Sequence, residues 1–236
     1  MVRGTLFWIW VTSFFCATNA FAETILAACF RRRDTGNIYR GGPFYYISDG
    51  LGKKKMAFFY AFIVLIAYIG GFASLQVNTV SRCLQDLYGI SPIAIGIVFA
   101  LLTGFTILGG VKKIASTTSK LIPIVTGLYL AVCMYLILSH LSQVPQIVLS
   151  ILDNALNAKA FGIGTVSTLL IGMQKGIFSS EVGLGTGAIA AVTADSSSPA
   201  ENGLTQTFGI HVENLVIATI TVFVIMLTNY SLLALR

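Results

Sequence analysis

The chain has 236 residues, of which 56% are hydrophobic and 10% are charged, and its formal net charge is +6. This composition excludes an ordinary water-soluble domain, in which about 25% of the residues are charged. The positive charge does not require a nucleic-acid partner, because the fifteen Lys and Arg residues are grouped in short clusters between apolar runs, an arrangement typical of membrane proteins.

Six apolar runs are long enough to cross a bilayer, which takes about twenty helical residues. In chain order they cover residues 5–30, 56–81, 87–111, 121–139, 161–194 and 204–227. The first run begins like a secretory signal, but it continues to three arginines, which indicates a span. The sequence therefore predicts an all-α polytopic membrane protein in which residues 1–236 form a single transmembrane domain.

The basic clusters predict the orientation of these runs. Residues 31–33, 53–55 and 112–113 are basic and should face the cytoplasm, so residues 31–55 are predicted to form a cytoplasmic loop. The loops on the opposite side have few basic residues. In one of them, residues 143–158 carry apolar side chains at helical spacing, which predicts an external amphipathic helix along the outer surface.

The fifth run contains the most informative residues. Between residues 176 and 194, hydroxyl side chains, a carboxylate and alternating glycines interrupt an apolar sequence. Backbone that leaves the helix at bilayer depth is tolerated only when it is buried in protein or lines a cavity, and secondary transporters bind substrate and ions at such breaks. We predict one discontinuous helix, with substrate contacts at Ser179, Ser180, Gly183, Gly185 and Thr186.

Two charged residues of the fifth run, Lys175 and Glu181, have two interpretations. Ionisable side chains within a membrane are costly and commonly functional, which favours a role in ion coupling. The alternative is that they support the helix break by pairing with each other or with a neighbouring helix.

Polar residues in other runs also have two interpretations each. Gln76 could bind both ends of a zwitterion or form hydrogen bonds between helices. His211 and Glu213 could form a polar relay, since histidine titrates near neutrality, or they could be packing elements, and the same applies to Glu23. The sequence predicts no catalytic residue and no metal site, and its four cysteines show no ligand or disulfide pattern.

Two other classes of protein fit parts of this pattern. A membrane-embedded enzyme could use Glu181, His211 and Glu213 as acid and base groups, provided that these side chains converge on one cavity. A non-catalytic assembly partner or scaffold would be stable only together with a second membrane protein.

Four segments, spread over nearly the whole chain, form a distinctive combination. They are L-F-W-I-W at 6–10, R-G-G-P-F-Y-Y-I-S-D-G-L-G at 40–52, L-G-G-V-K-K-I at 108–114, and G-I-F-S-S-E-V-G-L-G-T-G-A-I-A-A at 176–191. Together they resemble the alanine or glycine:cation symporter family, also called the sodium:alanine symporters. The chain departs from the family pattern at Ser180, where Asn is usual, at Lys175, where Arg is common, and at Gly187-Ala188, which replace Ala-Pro.

This resemblance implies a LeuT-type inverted-repeat fold in the cytoplasmic (inner) membrane. It also implies symport of a small neutral amino acid, alanine or glycine, with sodium or, in some members, protons. The fifth run would be the broken sixth core helix and the first run the second core helix. Gln76 would lie on the third core helix and face the site.

The resemblance further implies that the chain is partial and covers the middle of a transporter. The family's first broken core helix and everything after the seventh core helix have no counterpart here. We therefore expect an incomplete transporter core that does not transport alone and that a second polypeptide would complete. The alternative is a non-transporting remnant or an assembly partner of a split symporter. The choices of alanine or glycine, of D or L substrate, and of sodium or proton stay open.

Overall fold

The structure, a computed structural model, describes residues 2–34, 38–156, 163–196 and 198–234. Its helices are, in chain order, α1 (Val2–Cys29), α2 (Pro43–Tyr45), α3 (Lys54–Ile66), α4 (Ser74–Tyr88), α5 (Pro92–Ile107), α6 (Gly110–Ser139), α7 (Val144–Leu156), α8 (Ile163–Ser180), α9 (Thr186–Ala191), α10 (Pro199–His211) and α11 (Ala218–Ala234). Short π-helical stretches occupy Tyr46–Gly50, Ala67–Ala73 and Val212–Ile217, and a 3₁₀ turn occupies Leu141–Gln143. Strands β1 (Arg32–Arg33) and β2 (Tyr39–Arg40) form an antiparallel hairpin.

Several helix boundaries follow from local sequence. Pro92 and Pro199 stand at the first positions of α5 and α10, where a missing N–H costs nothing. The Ser198 hydroxyl accepts a hydrogen bond from the Glu201 N–H at 3.2 Å and caps α10. Helix α4 ends at Gly89, whose φ is 68°, because glycine adopts the left-handed conformation without steric cost.

The chain divides into two compact units, Met1–Phe58 with Ala131–Arg236, and Phe59–Leu130. In the first unit α1 is the central helix, and α7, α8, α9 and α10 pack against it. Its main buried cluster contains the apolar residues Leu6, Ile137, Ile147, Ile151, Val222, Met226 and Leu227. Because lipid is as apolar as these side chains, close van der Waals packing within the cluster holds the helices of the first unit together.

Helix α7 lies within the predicted external helix at 143–158, of which residues 157 and 158 fall outside the described part of the chain. Its residues Ile147 and Ile151 are buried in the main cluster of the first unit. The apolar face of α7 therefore packs on protein, and its location relative to the membrane stays a prediction.

Glycines allow α8 to approach α1 closely. A Cβ atom at Gly172 would lie 2.4 Å from the Cβ of Trp8 and 2.8 Å from the carbonyl oxygen of Thr5. A Cβ atom at Gly176 would lie 3.1 Å from the side chain of Thr12. Glycines four residues apart are the usual means by which helix backbones come together in membranes.

The second unit contains α4 and α5, which pack against each other, together with parts of α3 and α6. Many of its large apolar side chains are exposed, including Ile93, Leu101, Phe105 and Leu108. Such extensive apolar exposure is unusual for a protein in water and is expected of helices that face lipid.

Four of the described helical segments are long and apolar enough to cross a membrane: Gly4–Cys29, Lys54–Tyr88, Gly110–Ser139 and Pro199–Thr228. A shorter apolar helix, Pro92–Ile107, lies inside the predicted run at 87–111. The structure is thus mostly helical, as expected for an all-α membrane protein, while the number of six spans stays a prediction.

The described residues of the predicted cytoplasmic loop at 31–55, which are 31–34 and 38–55, contact α1 and α9. A Cβ atom at Gly42 would lie 2.4 Å from the side chain of Ile189 on α9, and one at Gly41 would lie 2.6 Å from the Ala27 carbonyl oxygen. The Arg31 guanidinium donates to the carbonyl oxygens of Ala194 and Ser196 at 3.2 and 3.3 Å. The loop therefore packs directly on the end of the broken helix.

Candidate functional site

The predicted interruption of the fifth run is present. Helix α8 ends at Ser180 and α9 begins at Thr186, with a turn between them. Glu181, Gly183 and Gly185 have φ angles of 53°, 85° and 73°. The glycines adopt this left-handed conformation freely, whereas Glu181 pays a steric cost of about 1–2 kcal/mol, so the surrounding contacts must hold it there.

One such contact joins the two sides of the break. The Thr186 hydroxyl donates a hydrogen bond of 2.6 Å to the Glu181 carboxylate. Both side chains are half-buried, and a hydrogen bond to a charged acceptor is stronger than one between neutral groups. This bond supports the interpretation of Glu181 as a residue that stabilises the break.

A second carboxylate reaches the break from α1. The backbone N–H of Gly183 donates to the Glu23 carboxylate at 3.4 Å. The sequence leaves two interpretations of Glu23 open. A carboxylate inside an apolar span needs a partner, but the sequence does not show which one, because Gly183 is 160 positions away.

Glu23 also influences the loop at 31–55. Burial and the nearby Glu23 carboxylate together raise the pKa of Tyr46 to about 12. Tyr46 begins the π-helical stretch of the loop, so Glu23 links the loop electrostatically to the break.

The predicted substrate residues Ser179 and Ser180 have different partners. The Ser179 hydroxyl donates to the Asn214 side-chain oxygen at 2.5 Å, while the Ser180 hydroxyl donates to the Gly176 carbonyl within its own helix at 2.8 Å. Asn214 is only 1% exposed and lies in the π-helical stretch Val212–Ile217. In the part of the chain that the structure describes, its buried side-chain nitrogen has no hydrogen-bond partner.

The two members of the predicted polar relay occupy the same part of the fold. The His211 ring makes an edge contact with the Phe14 ring at 5.4 Å between centroids. Glu213 is exposed and lies close enough to Glu181 for the two carboxylates to interact electrostatically. The structure therefore brings Glu213 near the break and places His211 against α1.

Two other predicted residues take part in none of the contacts described above. Lys175 is exposed on α8. Gln76 is exposed on α4 and belongs to the second unit. The roles predicted for Gln76 and Lys175 stay predictions.

A cavity of about 430 Å³ lies beside the break in the first unit. Its walls come from α1, α8 and the turn, and the residues are Trp8, Val11, Thr12, Phe15, Cys16, Asn19, Leu169, Met173, Ile177 and Val182. The volume is within the range of small-molecule sites, and the mostly apolar lining with a few polar groups is also typical of them.

The available ligand atoms at the break are oxygens. The described residues contain no group of three or more His, Cys, Asp or Glu side chains that could hold a metal ion. An alkali cation can instead use hydroxyl, amide and unwound backbone oxygens, which Ser179, Asn214 and residues 181–185 supply.

A family profile and several curated relatives match this chain over most of its length. The profile described as the sodium:alanine symporter family matches residues 3–233. The chain is 33% identical to the amino-acid carrier protein AlsT of Bacillus subtilis, over 97% of this chain and 49% of that protein. It is 34% identical to the probable sodium/glutamine symporter GlnT of the same organism, over 96% and 47%, and 30% identical to the sodium/alanine symporter AgcS of Methanococcus maripaludis, over 92% and 49%. The chain spans about half the length of these curated relatives.

Proposed function

This chain belongs to the sodium:alanine symporter family, and we propose that it serves the sodium-coupled symport of a small neutral amino acid, alanine or glycine. Membership makes it a multi-pass protein of the cytoplasmic membrane with a transport role rather than an enzymatic one. We further propose a partial LeuT-type inverted-repeat fold with six spans, in which α8 and α9 form the broken sixth core helix and α1 forms the second.

The break between α8 and α9 carries this proposal. Its backbone leaves the helix at Glu181 and resumes it at Thr186, which frees N–H and C=O groups that lipid cannot satisfy. Gly183 and Gly185 have no side chain to block the approach of a ligand. An amino-acid carboxylate would bind backbone N–H groups of the turn other than that of Gly183, which donates to Glu23, and Ser179, Ser180 and Thr186 would complete this part of the substrate site.

The coupling ion is proposed to bind beside the substrate, at Ser179 and Asn214. The Ser179 hydroxyl and the Asn214 side-chain oxygen are already 2.5 Å apart, and sodium would coordinate both oxygens by replacing the hydrogen bond between them. Glu181 and Lys175 would balance charge near the break, with His211 and Glu213 as a relay if a proton replaces sodium.

The test is uptake of labelled alanine by liposomes in a sodium gradient. One preparation contains this chain alone, and a second also contains a polypeptide that supplies the other half of a relative's length. We expect uptake in the second preparation, competition by glycine, and loss of uptake on collapse of the sodium gradient.

Two controls make the result specific. Ser179→Ala should raise the sodium concentration needed for half-maximal uptake, because it removes one proposed ion ligand, whereas Thr193→Ala, an exposed position near the end of α9, should not. Uptake that is absent from both preparations, although the chain is folded, would overturn the transport proposal and favour a non-transporting remnant or an assembly partner.

A further inference from the structure

We propose that the first residues of α3 form a binding site for the headgroup of an anionic phospholipid. The inference rests on the proposed function only for the cytoplasmic position of this loop. The site consists of the side chains of Lys53, Lys54 and Lys55 together with the adjacent apolar residues Leu51, Met56 and Phe58.

The three lysines are exposed and lie around a concavity. A cavity of about 460 Å³ is lined by residues Gly52, Lys53, Lys54, Lys55 and Met56. The two salt bridges among the described residues are Arg32 with Asp49 and Arg40 with Asp34, each at 2.6 Å. The carboxylates of the loop are thus paired with arginines, and the positive charge of the lysine cluster is available to an external anion.

The first turn of α3 adds hydrogen-bond donors to this charge. The N–H of Lys53 donates to the Ile47 carbonyl and that of Ala57 to the Lys53 carbonyl. Among the described residues, no acceptor is found for the three N–H groups between them, which are the usual unsatisfied donors of a helix start. A phosphate is well suited to such donors combined with lysine charges.

Apolar neighbours distinguish a lipid from a free phosphate. Met56 and Phe58 are 44% and 70% exposed and follow the lysines directly along α3, and Leu51 precedes them with 61% exposure. The helical segment Lys54–Tyr88 is long and apolar enough to cross a membrane, and lysines at the start of such a segment are expected at the depth of the headgroups. A phospholipid satisfies both parts of the site, since its phosphate meets the lysines and its acyl chains meet the apolar side chains.

The test measures binding of a fluorescent phosphatidylglycerol to the purified full chain in phosphatidylcholine nanodiscs. Replacing two lysines in K53Q/K54Q should weaken binding roughly thirtyfold, which is the effect expected of two lysines near an anionic surface. K53R/K54R keeps the charge and should stay within about threefold of the unchanged chain. Neither variant should unfold the protein, because both side chains are exposed.

The matched control is K112Q/K120Q, which removes the same charge from two other exposed lysines. An equal loss of binding in both double variants would overturn the proposal, because it would show a general charge effect. Full competition by inorganic phosphate, or equal affinity for fluorescent phosphatidylcholine, would also overturn it. Alanine uptake is measured separately, in the liposomes that also contain the complementing polypeptide. A lipid site that persists in the nanodiscs while those liposomes show no uptake refutes the proposed function alone.

Discussion

The close approach of α8 to α1 predicts that an added side chain at the contact lowers the stability of the fold. The change is Gly172→Ala, which adds one methyl group where α8 crosses α1. That group would lie 2.4 Å from the Trp8 Cβ and 2.8 Å from the Thr5 carbonyl oxygen. Neither atom can rotate away, because one is a backbone atom and the other is bonded directly to the backbone, so α8 itself must move.

The magnitude follows from a comparison with Gly127→Ala on α6, where nothing lies within 4 Å of the added Cβ. Alanine is favoured over glycine inside a helix by about 1 kcal/mol, and both substitutions gain this amount. Only Gly172→Ala also suffers overpacking, which costs about 1–3 kcal/mol. The free energy of unfolding of Gly172→Ala should therefore lie about 1–3 kcal/mol below that of Gly127→Ala.

The assay is thermal or denaturant unfolding of the two variants in one detergent, followed by far-ultraviolet circular dichroism. Gly127→Ala should be slightly more stable than the unchanged chain, and Gly172→Ala should be less stable than Gly127→Ala. If both variants were stabilised by the same amount, the helices would not be in contact at Gly172 and the packing described for α1 and α8 would be refuted.

Three further predictions concern single side chains. Thr186→Val removes the donor to the Glu181 carboxylate and should weaken the apparent affinity for alanine about tenfold. Thr186→Ser keeps the hydroxyl and should preserve the affinity. An uptake assay that finds the two variants alike would contradict the role of this hydrogen bond. Tyr46 has its pKa raised from 10.0 to about 12 in the folded protein, so stability that is fully present below pH 10 should be lost as the pH rises towards 12. Tyr46→Phe should remove that part of the pH dependence, as measured by unfolding at a series of pH values. Ser198→Ala removes the cap of α10 and should lower the free energy of unfolding by about 1 kcal/mol, while Ser198→Asp should restore it.

The helix break could be predicted from sequence because its signal is local. Gly183, Gly185 and the neighbouring polar residues lie within a few positions of one another, and glycine and polar side chains disfavour a continuous helix in lipid. The same local information cannot show which distant groups meet the break. The contacts of Gly183 with Glu23 and of Ser179 with Asn214 join residues 160 and 35 positions apart, and they depend on how the helices pack.

Helix ends could not be predicted from the apolar runs, because a helix can continue past the residues that lie in the bilayer. The predicted run at 121–139 becomes a helix that begins at Gly110, because the lysines at 112, 113 and 120 disfavour the bilayer core but not helical structure. The β-hairpin of Arg32–Arg33 with Tyr39–Arg40 was not predicted either. Its order comes from contacts such as that of the Arg31 guanidinium with the Tyr39 ring, 3.8 Å from the ring centroid, which a charge pattern does not reveal.

The fit of Gly41 and Gly42 against α1 and α9 has a mechanical consequence. Because Gly42 leaves no space between the loop and Ile189, and Arg31 holds the carbonyl oxygens of Ala194 and Ser196, α9 cannot tilt without displacing the loop. The loop and α9 should therefore move together. A fluorescent label on exposed residues of the loop would report rotation of α9 from outside the bilayer, without any change to the residues at the break.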